Sequence, residues 1–103
     1  MPAPTNSLAA LSWVQAALDA GRYVTAAHFD VRCQERGVSL LVVKRAIRRA
    51  TGCATYPDGT PSQGGTCWRV TGLDDAGNEL CVGVEAFVDA AGEQVVLVTV
   101  FWR

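Results

Sequence analysis

A chain of 103 residues, half of them hydrophobic and 18% charged, can bury a core as one domain and is too apolar to stay disordered. Its formal net charge of −1 argues against nucleic acid as the sole partner, because phosphate neutralisation calls for a basic excess. The charges are nevertheless segregated: Lys44, Arg45, Arg48 and Arg49 cluster, as do Asp74, Asp75 and Glu79. Four cysteines (Cys33, Cys53, Cys67 and Cys81) lie 14 to 20 residues apart with no Cys-x-x-Cys pair, and one histidine accompanies them. That set makes a poor zinc site, so no metal or cofactor is expected. The start, MPAPTNSLAALSW, has neither the cationic region nor the long apolar run of a signal peptide. Reduced, mostly buried thiols in a bacterial-type cytoplasm are the expectation. No apolar run reaches the roughly 20 residues of a membrane helix, so a soluble protein with no membrane partner is expected.

Met1 to Asn6, with Pro2 and Pro4, reads as a disordered lead-in. Ser7 is expected to cap a helix that runs to Ala20 and stops at Gly21. Its apolar stripe is Leu8, Leu11, Val14 and Leu18, with Trp13 at the edge. A second helix is expected between Thr25 as cap and Gly37 as stop. At about 100° per residue, Ala26, Phe29 and Cys33 share one face of it. His28, Arg32 and Glu35 fall within about 60° of one another on a neighbouring face, with Arg36 one step round. Ser39 caps a third helix, Leu40 to Thr51, stopped by Gly52. Leu40, Val43, Ile47 and Ala50 face inward; Lys44, Arg45, Arg48 and Arg49 face out.

After Gly52 the period changes from that of a helix to that of a strand. Ala54 to Tyr56 is a candidate short strand. Residues 57–65, PDGTPSQGG, form a flexible loop that lacks the Gly-Lys-Ser/Thr end of a phosphate-binding loop. Thr66 to Thr71 alternates, with Trp68 and Val70 opposite Cys67, Arg69 and Thr71. The DDAGN run at 74–78 is a turn with Gly77 at positive φ. Glu79 to Val88 alternates again, and DAAG at 89–92 closes a second hairpin. Gln94 to Trp102 is apolar almost throughout apart from Thr99, as expected of an interior strand covered on both faces. The order predicts one α+β domain over residues 1–103. Two to three N-terminal helices pack on a three- to four-stranded antiparallel meander sheet, in two layers. Arg69, Glu85 and Thr99 are polar islands on its other face or rim.

Thr25 to Ile47 admits three readings. With Gly37 as the turn glycine, Phe29 to Arg48 has the spacing of a helix-turn-helix DNA reader: Cys33 is the small residue of the first helix, Val38 follows the glycine, Ser39 caps the recognition helix, and Val43 and Ala46 are core. Arg32 and Arg36 oppose this, since the first helix needs apolar residues there and an unpaired buried charge is costly. The third helix also opens on Leu40, Leu41, Val42 and Val43, which have little polar reach for base edges. In the catalytic reading, His28 and Arg32 at i and i+4 lie about 5–6 Å apart at Cβ. Histidine exchanges protons near neutral pH, and arginine stabilises phosphate charge. Glu35 can orient the imidazole, pair with Arg32 or act as base, with Arg69 and Thr99 on the strands to complete the set. The third reading makes His28 a residue of the first helical turn beside surface pairs among Arg32, Glu35 and Arg36. The cluster of Lys44, Arg45, Arg48 and Arg49 is either a solvated helix face or a contact for phosphate or a protein partner.

Thr25-Ala-Ala-His28, then Arg32, Glu35-Arg36-Gly37-Val38-Ser39, Val43 and Ala46-Ile47 resemble an uncharacterised prokaryotic domain family. The strand ending Val98-Thr99-Val100-Phe101-Trp102 extends the likeness, which spans roughly residues 23 to 102. That family is grouped with the small RelE/BrnT-like toxins and the wider barnase/EndoU/colicin-like ribonucleases. The resemblance implies a RelE-like two-layer fold and a metal-independent ribonuclease, or a degenerate relative of one. His28, Arg32 and Thr99 would lie at its site with Glu35 or Arg36 in support, and Arg36, Arg69, Lys44 and Arg48 would contact RNA phosphates. The implied partners are RNA and a cognate antitoxin or other protein, with a homodimer as a further assembly. The rival class is a non-catalytic module: immunity- or antitoxin-like, dimerising, or the DNA reader.

Overall fold

The computed structural model describes residues 3–103 and is an α+β fold of three helices and one five-stranded mixed sheet. Helix α1 (Ser7–Asp19) is capped by Asn6 and not by Ser7, the side chain accepting from Ala9 N at 2.9 Å. Asn6 holds the extended backbone that an N-cap requires, whereas Ser7 is already helical. The buried face is Ala10, Trp13, Val14, Ala17 and Leu18, and Leu8, expected in the stripe, is 80% exposed. Trp13 takes the interior position because its indole donates to the Gln94 carbonyl at 3.1 Å beside the small Ala10 and Ala17. Of the lead-in, Met1 and Pro2 fall outside the described residues; Pro4 is buried and its carbonyl accepts from Thr66 Oγ1 at 2.9 Å.

Between α1 and α2 (Phe29–Arg36) lies an element absent from the sequence reading, strand β1 (Tyr23–Thr25). It runs parallel to β5 (Gly92–Trp102), with Tyr23 opposite Val95 and Thr25 opposite Leu97. Tyr-Val-Thr favours a strand, but three residues show no period. Thr25 is therefore a strand residue and caps nothing. Ala26 N continues the pairing by donating to the Leu97 carbonyl at 2.8 Å, and α2 starts only at Phe29, with His28 at its N-cap. Gly37 ends α2 in the left-handed region, φ 65°, as its glycine predicts. Helix α3 (Leu40–Arg48) starts at the expected cap, Ser39 Oγ accepting from Val42 N at 3.2 Å. It stops at Arg48 instead of Thr51, because Thr51 N donates to the Thr71 carbonyl at 2.9 Å and draws the chain onto the sheet. Val43, Ala46 and Ile47 are buried, whereas Leu40, expected inside, is exposed.

Strands β2 (Gly52–Thr55), β3 (Thr66–Leu73), β4 (Glu79–Asp89) and β5 make the expected antiparallel meander. The sheet order is β1-β5-β4-β3-β2, so β5 is interior, as its apolar sequence predicts. The inner face carries Trp68, Val70, Leu80, Val82, Val84, Ala86, Val95, Leu97 and Val100, covered by α1 and α3, with α2 packed against β5. Helix α3 approaches β3 so closely at Gly72 that a Cβ there would collide with the Ala46 carbonyl. Gly72→Ala is expected to destabilise the fold by about 3 kcal/mol in equilibrium denaturation. Gly52→Ala, a strand glycine with nothing within 4 Å of its Cβ position, is the control that should change little.

The outer face is covered in part by the loop from Tyr56 to Gly65. Gly59 packs against Cys67, and Gly65 against Ala86 and Phe87. Beneath the loop is Glu85, 1% exposed in an otherwise apolar strand. Its Oε1 accepts from Ser62 N at 2.8 Å and Ser62 Oγ at 3.1 Å; its Oε2 accepts from Gln63 N and Gly65 N, both at 2.9 Å. Converging donors satisfy this carboxylate without a cation, and in doing so they set the path of the loop.

Candidate functional site

The pairing of β5 changes phase midway. Gly83 is opposite Thr99 and Val84 opposite Leu97, so Val98 is the extra residue of a β-bulge. Strict alternation from Val95 and Leu97 would turn Thr99 into the core and Val100 out. The bulge reverses this: Val100 is fully buried, and Thr99 is half-buried on the outer face. A cleft of about 400 Å³ opens beside the bulge. Val98 and Thr99 line it from β5, and Ala26, His28 and Arg32 from the end of β1 and the start of α2. Tyr56, Asp58, Gly59 and Thr60 supply the third wall, from the loop that Glu85 holds.

His28, Arg32 and Thr99 thus meet in one cleft, although the helix expected to present the first two begins later than predicted. His28 remains one turn from Arg32, since Arg32 N donates to the His28 carbonyl at 3.0 Å. Its imidazole makes no capping bond to α2 and is exposed. The Arg32 guanidinium donates to Glu35 Oε1 at 3.1 Å, both side chains being about half exposed (47% and 45%). Glu35 is thereby engaged with Arg32; it does not line the cleft.

Other sequence candidates lie apart. Arg36 is exposed, and its carbonyl accepts from Trp102 Nε1 at 2.9 Å. Lys44 lies over the Tyr23 ring, 5.3 Å from its centroid, and Arg48 pairs with Asp19 at 2.9 Å. Both belong to α3 on the helical side of the sheet, while the cleft is lined from the loop side. Arg45 and Arg49 both pair with Asp75, at 3.0 and 2.8 Å, so much of the basic cluster is locally neutralised. The hydrogen bond from Arg49 is the first cause that holds the Asp75 carboxyl below its ordinary value of 3.8, with the Arg45 charge adding to it. A lowered folded-state value means that this contribution is present at neutral pH and is lost as pH falls through and below 3.8. Asp75→Asn should therefore melt below the wild type at pH 7, with the gap closing in acid; a gap independent of pH would contradict the ion pairs.

Tyr56, Asp58 and Thr60 went unassigned in the sequence, because Tyr56 closes a short strand and the others sit in a stretch legible only as a turn. The useful sign is Tyr56 itself, an aromatic residue directly before the Pro-Asp-Gly turn and so fixed to the sheet. The four thiols are free. Burial pushes Cys33, Cys53 and Cys67 up from their ordinary range, with Asp30 adding to Cys33 and Glu85 to Cys67. These three stay protonated at neutral pH, and none of the four thiols lines the cleft. Among the described residues there is no cluster of His, Cys, Asp and Glu suited to a metal, and no helix is long and apolar enough to cross a membrane. No family model, curated protein or solved structure matches the chain.

Proposed function

We propose that the cleft is the site of a small metal-independent ribonuclease resembling the RelE/BrnT-like toxins, or of a degenerate relative of one. One observation carries the reading: His28, Arg32 and Thr99, drawn from a helix start and a strand bulge, line a single cleft. In this reading His28 accepts the proton of a ribose 2′-hydroxyl, and the freed oxygen attacks the adjoining phosphorus. The bond from phosphorus to the 5′ oxygen breaks, leaving a cyclic phosphate, and the departing oxygen takes a proton from solvent. Arg32 and the Thr99 hydroxyl donate to the phosphoryl oxygens as their charge grows. Glu35 acts indirectly, by fixing the guanidinium.

The test is incubation of purified protein at micromolar concentration with RNA, beside inducible expression scored for growth and RNA integrity. Harmless expression together with intact RNA sinks the ribonuclease reading. A second reading, a protein-interaction module, draws on Leu40 and Leu41, both exposed at the start of α3. An apolar pair on a helix surface suits a protein contact better than base edges. Co-purification of a partner that Leu41→Asp abolishes, with RNA left intact, would favour it.

A further inference from the structure

The cleft ends at Thr99, but the cross-strand row that Thr99 belongs to continues. On the outer face Thr99 is opposite Gly83, Gly83 is opposite Arg69, and Arg69 is opposite Ala54. A Cβ on Gly83 would meet Thr99 Cγ2 at 2.8 Å and Tyr56 Cε2 at 3.1 Å, so the Tyr56 ring borders the gap between Thr99 and Arg69. Strand spacing sets the Cα atoms of Thr99 and Arg69 roughly 10 Å apart. Arg69 is half-buried, with only small neighbours across both strands. Among the described residues it has no ion pair and no side-chain hydrogen bond, a lack shared only by the exposed Arg36 among the arginines. A positive charge on a sheet face, with an aromatic ring between it and a polar cleft, is the combination that tracks a single nucleic-acid strand.

We propose that Arg69 and Tyr56 form a second subsite, which takes the next phosphate and the intervening base of a single-stranded oligonucleotide seated in the cleft. This rests on the phosphate-transfer reading of the cleft and adds to it a minimum substrate length. A ring beside the row offers one base a stacking face, and an arginine meets a phosphate with two parallel donors. Arg69 here binds the substrate away from the reacting bond.

Fluorescence anisotropy with labelled oligothymidylates carrying one, two or more phosphates tests this, since strands without the 2′-hydroxyl stay intact whatever the cleavage activity. Wild-type affinity is expected to rise roughly tenfold from one phosphate to two. In Arg69→Gln that step disappears, and the slope of log affinity against log salt for longer strands becomes shallower by about 0.7. Arg69→Lys restores the salt slope and recovers part of the step. Persistence of the step in Arg69→Gln, or its absence in wild type, overturns the subsite. Cleavage of RNA, measured in parallel, reports separately on the reading of the cleft, so the two failures are distinguishable.

Discussion

Replacing His28 with alanine is expected to lower the rate of RNA cleavage by about 10²–10⁴-fold, the usual worth of a positioned proton-exchanging group. The fold should be unaffected, because the imidazole is exposed and caps nothing. Surface changes of that kind stay within about 0.5 kcal/mol of wild type. The measurement is single-turnover cleavage of a short RNA, with a thermal melt of each variant. Arg32→Ala should lose about 10²–10³-fold, since a donor aimed at developing charge acts mainly in the transition state. Glu35→Gln should cost far less, because it loosens a guanidinium that is already half exposed. A His28→Ala protein that cleaves as fast as wild type would remove the residue from the mechanism.

Glu85→Gln is expected to destabilise the protein by about 2–4 kcal/mol and to release the loop from Tyr56 to Gly65. Both carboxylate oxygens accept, and each faces backbone N–H donors: Ser62 on one side, Gln63 and Gly65 on the other. Glutamine offers one oxygen and one NH₂, so whichever way it turns, donors face donors. Repair by rotation is blocked on both sides. Hydrogen exchange reads the result directly: the amides of Ser62, Gln63 and Gly65 should lose protection together, before those of β4 itself. Because the same loop presents Asp58 and Thr60 to the cleft, cleavage should fall with it, although Glu85 touches no substrate. Unchanged protection at those three amides would show that the loop is held by its own packing.

The alternating strands and the helix stops at Gly37 and near Gly21 were legible because each is written in a local period or a single backbone requirement. So were the interior position of β5 and the outward side of Arg69. The signs that failed were non-local. Strand β1 exists because β5 lies beside it, and three residues cannot announce a partner at the other end of the sheet. The same pairing displaced the start of α2 from Thr25 to Phe29. Residue 85 could be read as a polar island, yet its role depends on three amides twenty or so residues away that no pattern links to it. Of the candidate site, His28, Arg32 and Thr99 were available from the sequence. Their convergence depends on the extra residue Val98, which inverts the alternation of β5 at a point where nothing in the sequence Leu97-Val98-Thr99-Val100 marks an insertion.

The order of the strands also governs when the cleft can come into being. One wall is complete once Arg32 has been made and another once Thr60 has, but both stand against β5, the last strand of the sheet. Strand β1 has no other neighbour in the sheet, so until Val95 to Leu97 are in place it has nothing to pair with. From Thr60 onward a growing chain therefore carries His28, Arg32 and Tyr56 with no cleft to hold them until Val98 and Thr99 are made. If the product damages RNA, the ribosome that builds it is spared until the fold closes.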